Sequence, residues 1–336
     1  MNSRLHCWLF YPNAWQRCSK DELQRIKIER RVFKTVGSLT RKQFDILEQL
    51  AEEKRSLTQR ELVEKTGFAL GTVNKLVKGM TNAGWINEGS ITQSGLVQLE
   101  PYKVKRAIIL AAGFGERLVP ITLNTPKPLV RVNGQRIIDS LIDATLAAGI
   151  DDITVVRGYL AEQFDQLLYK YPMLKFVDNP IYNEANSISS VMCVRSQLSN
   201  AYVFEGDLLV TNPEVIKKYQ YSTNFLGFPI KRSDDWCFVV KDGIIAKQTV
   251  GGVNCFQEIG ISYWNADDGK KLAGHLKMAF EQPGGREHNW EQVAFSDFKK
   301  FYKIALRECK AEDVIEIDTF TELKAIDKTY AEVGRR

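Results

Sequence analysis

Between Ser38 and Gly84 the apolar positions recur at helical spacing. Phe44, Leu47 and Leu50 fall three residues apart. A second helix is predicted from Thr58, where Glu61 three residues on has capping-box spacing. It runs through Leu62 and Val63 to Thr66 and breaks at Gly67. Thr72, Val73, Leu76, Val77 and Met80 predict a third helix, ended at Gly84. The stretch 85–92 then reads as two short strands around a glycine turn. Helix, helix-turn-helix and small hairpin make the winged helix-turn-helix plan.

Around Tyr102 the pattern changes. Residues 106–110 are a continuous apolar run, as expected of a strand buried on both faces of a parallel sheet. Similar runs recur at 153–156, 174–177 and 201–204, and helical segments at 137–148, 161–169 and 189–198 separate them. Strand alternating with helix predicts an α/β fold, a doubly wound and mostly parallel sheet with right-handed crossovers. The later chain is strand-rich at 225–230, 237–240, 243–247 and 259–264. A final helix is predicted after Asp318, with that residue as its N-cap. The chain divides into a basic segment 1–37, a winged-helix domain 38–100 and an α/β domain 104–330. The first of these holds Trp8 and Trp15 and leads into a helix through the basic run 25–34.

At 336 residues, 44% hydrophobic and 26% charged, the chain has the composition of a globular protein of about two domains and not of a disordered one. It has no apolar run of the ~18 residues a membrane helix needs. Nor does its start carry a signal-peptide core. The six cysteines (Cys7, Cys18, Cys193, Cys237, Cys255, Cys309) form no CxxC pair, which excludes a zinc-finger framework and suits a reducing, cytoplasmic setting. Charge is unevenly placed. Residues 1–37 hold 8 Lys and Arg against 3 Asp and Glu, a surplus equal to the net +5 of the whole chain. Residues 38–100 hold 8 of each. The winged-helix segment resembles the domains of bacterial regulators, and Thr72, Asn74, Lys75 and Lys78 would face outward on its third helix. Residues 38–100 have no net positive charge to neutralise phosphates, and the basic residues 25–34 would supply it only by packing beside the third helix, so docking against the other domain or dimerisation is favoured over DNA binding.

Straight after the first parallel strand stands Ala111-Ala112-Gly113-Phe114-Gly115-Glu116-Arg117-Leu118, followed by Pro120, Thr122 and Thr125-Pro126-Lys127-Pro128-Leu129. Two glycines at the carboxyl end of a strand let backbone N–H groups close around phosphate oxygens. Arg117 and Lys127 add the positive charge that a polyphosphate and its transfer require. A lone GxG would fit any tight turn; GxG followed by Arg and Pro-Lys-Pro-Leu is far more specific. The spacing matches neither the Walker loop nor GxGxxG with a ribose-binding acid.

The segment 110–129 resembles the signature of the sugar-phosphate nucleotidyltransferase superfamily. The whole of 104–330 looks most like bacterial phosphocholine cytidylyltransferases. Supporting residues are Gly158-Tyr159 with Glu162-Gln163-Phe164; Asp178-Asn179 with Tyr182, Asn186 and Ser190; Asp207; Asp235-Trp236; Trp290-Glu291; and Glu316-Ile317-Asp318. The resemblance implies a Rossmann-like nucleotidyltransferase fold. It implies that Ala111, Ala112, Gly113, Gly115 and Arg117 hold the triphosphate of CTP, and that Lys127 bridges the reacting phosphates. Asn186 and Ser190 would lie over the pyrimidine. Asp207 and Glu291 would hold Mg²⁺, although relatives carry Asp where Glu291 stands. Tyr182, Asp235, Trp236 and Trp290 would wall the acceptor pocket, where an indole face beside carboxylates suits a quaternary ammonium.

The reaction so implied is CTP + phosphocholine → CDP-choline + pyrophosphate, by attack of a phosphate oxygen on the α-phosphorus. His6, His275 and His288 form no base-orienter set, and a mostly dianionic phosphate needs none. Asn289 stands where relatives place an aromatic residue. That thins the cage and keeps phosphoethanolamine and 2-aminoethylphosphonate open as acceptors. A sugar 1-phosphate is disfavoured by the absence of a Gln-x-x-G-x-A segment. A DNA-binding regulator that only senses a nucleotide is disfavoured by the full set Lys127, Arg117 and Asp207. Homo-oligomerisation is left open.

Overall fold

The computed structural model describes residues 38–53 and 55–331. The basic segment 1–37, with its basic run 25–34 expected to lead into a helix, lies outside the described residues. The chain falls into two compact units that divide between Pro101 and Tyr102.

In the first unit, α1 (Arg41–Glu52) starts at a Thr40/Gln43 capping box and buries Phe44, Ile46, Leu47 and Leu50. Helix α2 (Gln59–Thr66) starts at the Thr58/Glu61 box and stops at Gly67, whose φ of 68° is left-handed. Helix α3 (Leu70–Asn82) buries Val73 and Met80 and leaves Asn74, Lys75 and Lys78 exposed. Strands β1 (Ile86–Asn87) and β2 (Ser90–Ile91) pair antiparallel around Glu88 and Gly89, both at positive φ. Two consecutive positive φ values make the tight hairpin turn whose twist matches the strands. A Cβ on Gly89 would lie 2.6 Å from the Leu57 carbonyl oxygen, so glycine also lets the wing approach the chain entering α2. A short α4 (Gln93–Leu99), absent from the sequence reading, closes the unit.

The second unit is built on one twisted sheet. In chain order come β3 (Arg106–Ala111), a small hairpin of β4 (Arg131–Val132) and β5 (Gln135–Arg136), α5 (Ile137–Ala147), β6 (Ile153–Arg157), β7 (Lys175–Asp178), α6 (Ile188–Val194) and β8 (Ala201–Glu205). Then follow β9 (Leu208–Val210), β10 (Asn224–Lys241), β11 (Ile244–Trp264), α7 (Ala266–Phe280), β12 (Ala305–Glu308), β13 (Val314–Glu316) and α8 (Phe320–Ile326). The seven-stranded order is β10-β12-β11-β8-β3-β6-β7, with β8, β3, β6 and β7 mutually parallel. Side chains of β3 alternate between two cores. Ala107 and Ile109 pack with Leu141 and Ile142 of α5, and Ile108 and Leu110 with Ile188 and Val191 of α6. That two-sided burial is why its sequence is apolar without interruption. The sheet is mostly parallel and doubly wound, as expected.

Details differ from the sequence reading. Residues 161–169 form a 3₁₀ stretch, and α6 ends at Val194 before a 3₁₀ turn. The four late strands are two long ones, β10 and β11, paired antiparallel around Asp242-Gly243 at φ 51° and 74°. Bulges between Ser233 and Trp236 and around Cys237–Val239 absorb the polar interruptions, so the ladder continues where the apolar pattern lapses. Helix α7, capped by Asn265, was not expected. Asp318 is not the cap of α8: Thr319 takes that position in a capping box with Glu322. The Asp318 carboxylate is thereby left for other partners.

Candidate active site

Strands β3 and β8 are parallel neighbours, with Leu110 in register with Glu205, and β6 lies on the other side of β3. The chain thus leaves the carboxyl end of β3 where its crossovers diverge, the place where open α/β sheets form their ligand crevice. The loop 111–129 lies here. Ala111 and Ala112 are buried, and the Ala112 carbonyl accepts the Tyr159 N–H at 3.0 Å. Space around the Gly113 Cα is open. Gly115 has φ 71°, and a Cβ there would sit 3.0 Å from Lys127 Cβ, so glycine serves both the turn and the lysine's approach. Thr122 Oγ1 donates to the Gly115 carbonyl at 2.9 Å. The Tyr159 hydroxyl donates to the Thr122 carbonyl at 2.9 Å, and Gln163 Nε2 to that of Asn124. The loop is therefore laced from both sides before any phosphate arrives.

Lys127 is drawn inward. Its Nζ lies 2.6 Å from Asp207 Oδ2 and 2.9 Å from Asp318 Oδ1. Burial alone would lower this ammonium's pKa, but attraction to Asp207 and Asp318 prevails and the net direction is upward, so Lys127 is a cation at neutral pH. Arg117 Nη2 reaches the same Asp318 Oδ1 at 2.8 Å. Gly206 brings Asp207 into place, since a Cβ there would lie 2.7 Å from the Leu110 carbonyl oxygen. Carboxylate oxygens of Asp207, Glu316 and Asp318 lie within 4.8 Å of one another, and Asp207 Oδ1 is buried with no hydrogen-bond partner. Three carboxylates around one point suit a hard divalent cation such as Mg²⁺. Of the expected metal pair, Asp207 belongs to this group and Glu291 does not.

Glu291 belongs to a second set of half-buried acids, with Glu205 at the end of β8 and Glu258 on β11. Burial first, then the charges of Glu291 and Asp207, pushes Glu205 well above the usual carboxylate range. Burial, with the charges of Glu205 and Asp235, pushes Glu258 up to about 8, and burial with the Glu258 charge pushes Glu291 up to about 8. Glu205 and Glu291 lie close enough that the Glu291 charge helps keep Glu205 protonated. Trp290 Nε1 donates to Glu205 at 3.3 Å and Gln248 Nε2 to Glu258 at 2.7 Å. Among the described residues no lysine or arginine pairs with any of the three.

The remaining expected residues divide. Trp236 is half-buried at the bulge of β10, beside exposed Asp235, whose carboxylate accepts the Trp236 N–H at 2.7 Å. Tyr182 is half-buried and packs against Gly158. Trp290 is no open wall: it is 2% exposed and packs among Phe225 and Trp264, because its large apolar face is worth most inside the core. Ser190 is buried and its hydroxyl accepts from Asn179 Nδ2, while Asn186 Nδ2 donates to the Glu287 carbonyl. These two thus pin the segment 179–190 to its surroundings. His275 stacks on Phe298 and His288 pairs with Asp297; His6 lies outside the described residues.

Sequence reasoning missed Glu316, Asp318, Glu205 and Glu258 as site residues. A signal existed for the first three. Glu316 and Asp318 flank the fully buried Ile317, and Glu205 and Asp207 flank Gly206 at the turn where β8 ends, so each acid pair is two residues apart at the end of a strand. Glu258 carried no such mark.

This fold and phosphate loop define a nucleotidyltransferase, and the comparisons agree. Residues 106–240 match the nucleotidyl transferase family model, and residues 38–99 match that of the MarR family. The chain belongs to the nucleotidyl transferase family and carries an N-terminal MarR-family winged helix. Relatives matched over about two thirds of the chain are cytidylyltransferases, and mannose-1-phosphate guanyltransferases match over a shorter stretch of 66 residues. It is 34% identical over 67% of its length to the 2-aminoethylphosphonate cytidylyltransferase of Lancefieldella rimae, covering 92% of that protein. It is 30% identical over 66% of its length to the choline-phosphate cytidylyltransferase of Streptococcus pneumoniae, covering 97%. The solved CTP:phosphocholine cytidylyltransferase from Streptococcus pneumoniae superposes with a TM-score of 0.62 at 28% identity, covering 68% of this chain and 99% of that one. No helix among the described residues is long and apolar enough to cross a membrane.

Proposed function

We propose that the protein transfers the cytidylyl group of CTP to a phosphonate or phosphate oxygen of a small acceptor bearing a primary ammonium, of the 2-aminoethylphosphonate type. The observation that carries the acceptor class is the set Glu205, Glu258 and Glu291, half-buried near Asp207 and, among the described residues, paired with no lysine or arginine. An –NH₃⁺ group has three donors and offers each carboxylate a charge-assisted hydrogen bond. The 2-aminoethylphosphonate and choline-phosphate enzymes among the relatives support CTP as the donor.

In this reading the Gly113–Gly115 amides and Arg117 hold the triphosphate, and Lys127 neutralises charge growing between the entering and leaving oxygens. Asp207, Asp318 and Glu316 would hold Mg²⁺, which supplies further positive charge to the triphosphate when bound. The acceptor oxygen forms a bond to the α-phosphorus as the bond to the β-phosphate oxygen breaks, and pyrophosphate leaves with that electron pair. No general base is required, because a phosphonate or phosphate is mostly dianionic near neutral pH. Positioning and charge stabilisation accomplish the catalysis.

Phosphocholine is the second reading, favoured by the half-buried Trp236 face next to Asp235. The test is pyrophosphate release with four nucleoside triphosphates crossed against 2-aminoethylphosphonate, phosphoethanolamine, phosphocholine and glucose 1-phosphate. The expected result is the highest kcat/KM for CTP with a primary amine. Preference for glucose 1-phosphate would refute the acceptor class, and preference for another nucleotide would refute the donor. For the winged helix, with no net charge over residues 38–100, we propose docking or self-association ahead of DNA binding.

A further inference from the structure

We infer that Lys127 and Arg117 are resident stand-ins for the divalent cation, parked on its ligands until nucleotide and metal arrive together. The inference rests on the nucleotidyl-transfer reading of this site. Its basis is a double occupancy. The two side chains that have to reach phosphate oxygens are bound instead to the carboxylates that would hold a metal. Lys127 Nζ bridges Asp207 Oδ2 and Asp318 Oδ1 at 2.6 and 2.9 Å, and Arg117 Nη2 takes the same Asp318 oxygen at 2.8 Å. Asp207 Oδ1 is left buried and unpartnered, so the lysine fills the group without satisfying it.

One position cannot hold an ammonium and a metal ion at once. When a +2 ion enters among Asp207, Glu316 and Asp318, two +1 side chains are released, and the charge on the carboxylate group is unchanged. Both freed side chains carry their charge on flexible stems from the loop that holds Gly113 and Gly115, so the polyphosphate is where they go. Metal without nucleotide then has to displace Lys127 into a crevice that offers no anion in exchange. Nucleotide without metal leaves both cations bound to the acids. The exchange therefore couples the two ligands positively, and the acids of the empty site are neutralised meanwhile.

The measurement is Mn²⁺ binding to the full chain by EPR or calorimetry, with and without CTP, for wild type, Lys127→Met, Lys127→Gln and Asp207→Asn. Lys127→Met and Lys127→Gln should bind Mn²⁺ about 5- to 150-fold more tightly than wild type without nucleotide, the usual span of a coupling between sites. They should also lose most of the gain in Mn²⁺ affinity that CTP confers on wild type. If both lysine variants, checked as folded by near-UV circular dichroism, bind Mn²⁺ no more tightly than wild type, the stand-in role is overturned. Should Asp207→Asn bind Mn²⁺ as wild type does, the metal reading of the carboxylates falls, and with it the exchange. Nucleotide specificity, measured separately by pyrophosphate release, tells that failure from failure of the cytidylyl-transfer reading.

Discussion

Glu258→Gln tests the acceptor site through its pH dependence. Burial, with the charges of Glu205 and Asp235 opposing a hydrogen bond from Gln248, raises Glu258 to about 8; burial and the Glu258 charge raise Glu291 to about 8. In the empty crevice these groups are mostly protonated at neutral pH. An ammonium favours the ionised form, so binding it expels a proton. Affinity then has to rise with pH below about 8 and level off above it. With one proton released per acceptor bound, the rise is about tenfold per pH unit on the steep part and roughly twentyfold between pH 6.5 and 8.5. The acceptor's own phosphonate also titrates, so the assay compares KM for 2-aminoethylphosphonate with the inhibition constant of ethylphosphonate, which lacks the amine. The ratio of the two, with each constant expressed per dianionic phosphonate, isolates the ammonium. In Glu258→Gln a hydrogen bond to charge worth about 1.5–3 kcal/mol is weakened at pH 8.5. Little is lost at pH 6.5, where Glu258 is already neutral. A wild-type ratio that is flat from pH 6.5 to 8.5, or a variant impaired equally at both ends, would refute the reasoning. The same linkage governs stability. Carboxyls whose folded pKa is raised stabilise least at high pH, so the unliganded protein should lose stability as pH climbs from about 4.5 through about 8. Glu258→Gln should raise Tm at pH 8.5 and leave it nearly unchanged at pH 5.

Three further outcomes are expected. Lys127→Ala should lower kcat by roughly 10²–10³, the scale of losing one preorganised charge-stabilising donor; near-normal turnover in steady-state assays would remove Lys127 from the mechanism. Trp236→Ala should raise KM for the acceptor more than KM for CTP, whereas a lower Tm with both KM values unchanged would mark Trp236 as a packing residue only. Deleting residues 1–101, along the boundary between the two compact units, should leave cytidylyl transfer within a few-fold of the full chain. For the full chain, fluorescence anisotropy near physiological salt should show no sub-micromolar, sequence-selective DNA binding sensitive to Lys75→Ala, because residues 38–100 have no net charge with which to neutralise phosphates.

What the sequence by itself determined is local. Capping boxes at Thr58 and the glycines at 67 and 84 mark the first unit because they act within one turn of chain. The run 106–110 declares a doubly buried strand, and the loop 111–129 declares phosphate chemistry, because glycine, arginine and Pro-Lys-Pro-Leu are contiguous. Tertiary structure decided which distant charges meet. Asp318 read as a helix cap in sequence, and only folding shows Thr319 doing that work while Asp318 crosses 191 residues of chain to meet Lys127. Trp290 read as a pocket wall, and the packing of Phe225 and Trp264 around it makes it core. Glu258 lies in a stretch of β11 whose apolar pattern is broken by bulges, so nothing in its neighbours announced that it would join Glu205 and Glu291. Periodicity reports which face of an element is buried. Which carboxylates share a crevice depends on strand order and register, and those arise only when residues far apart in the chain pack against one another.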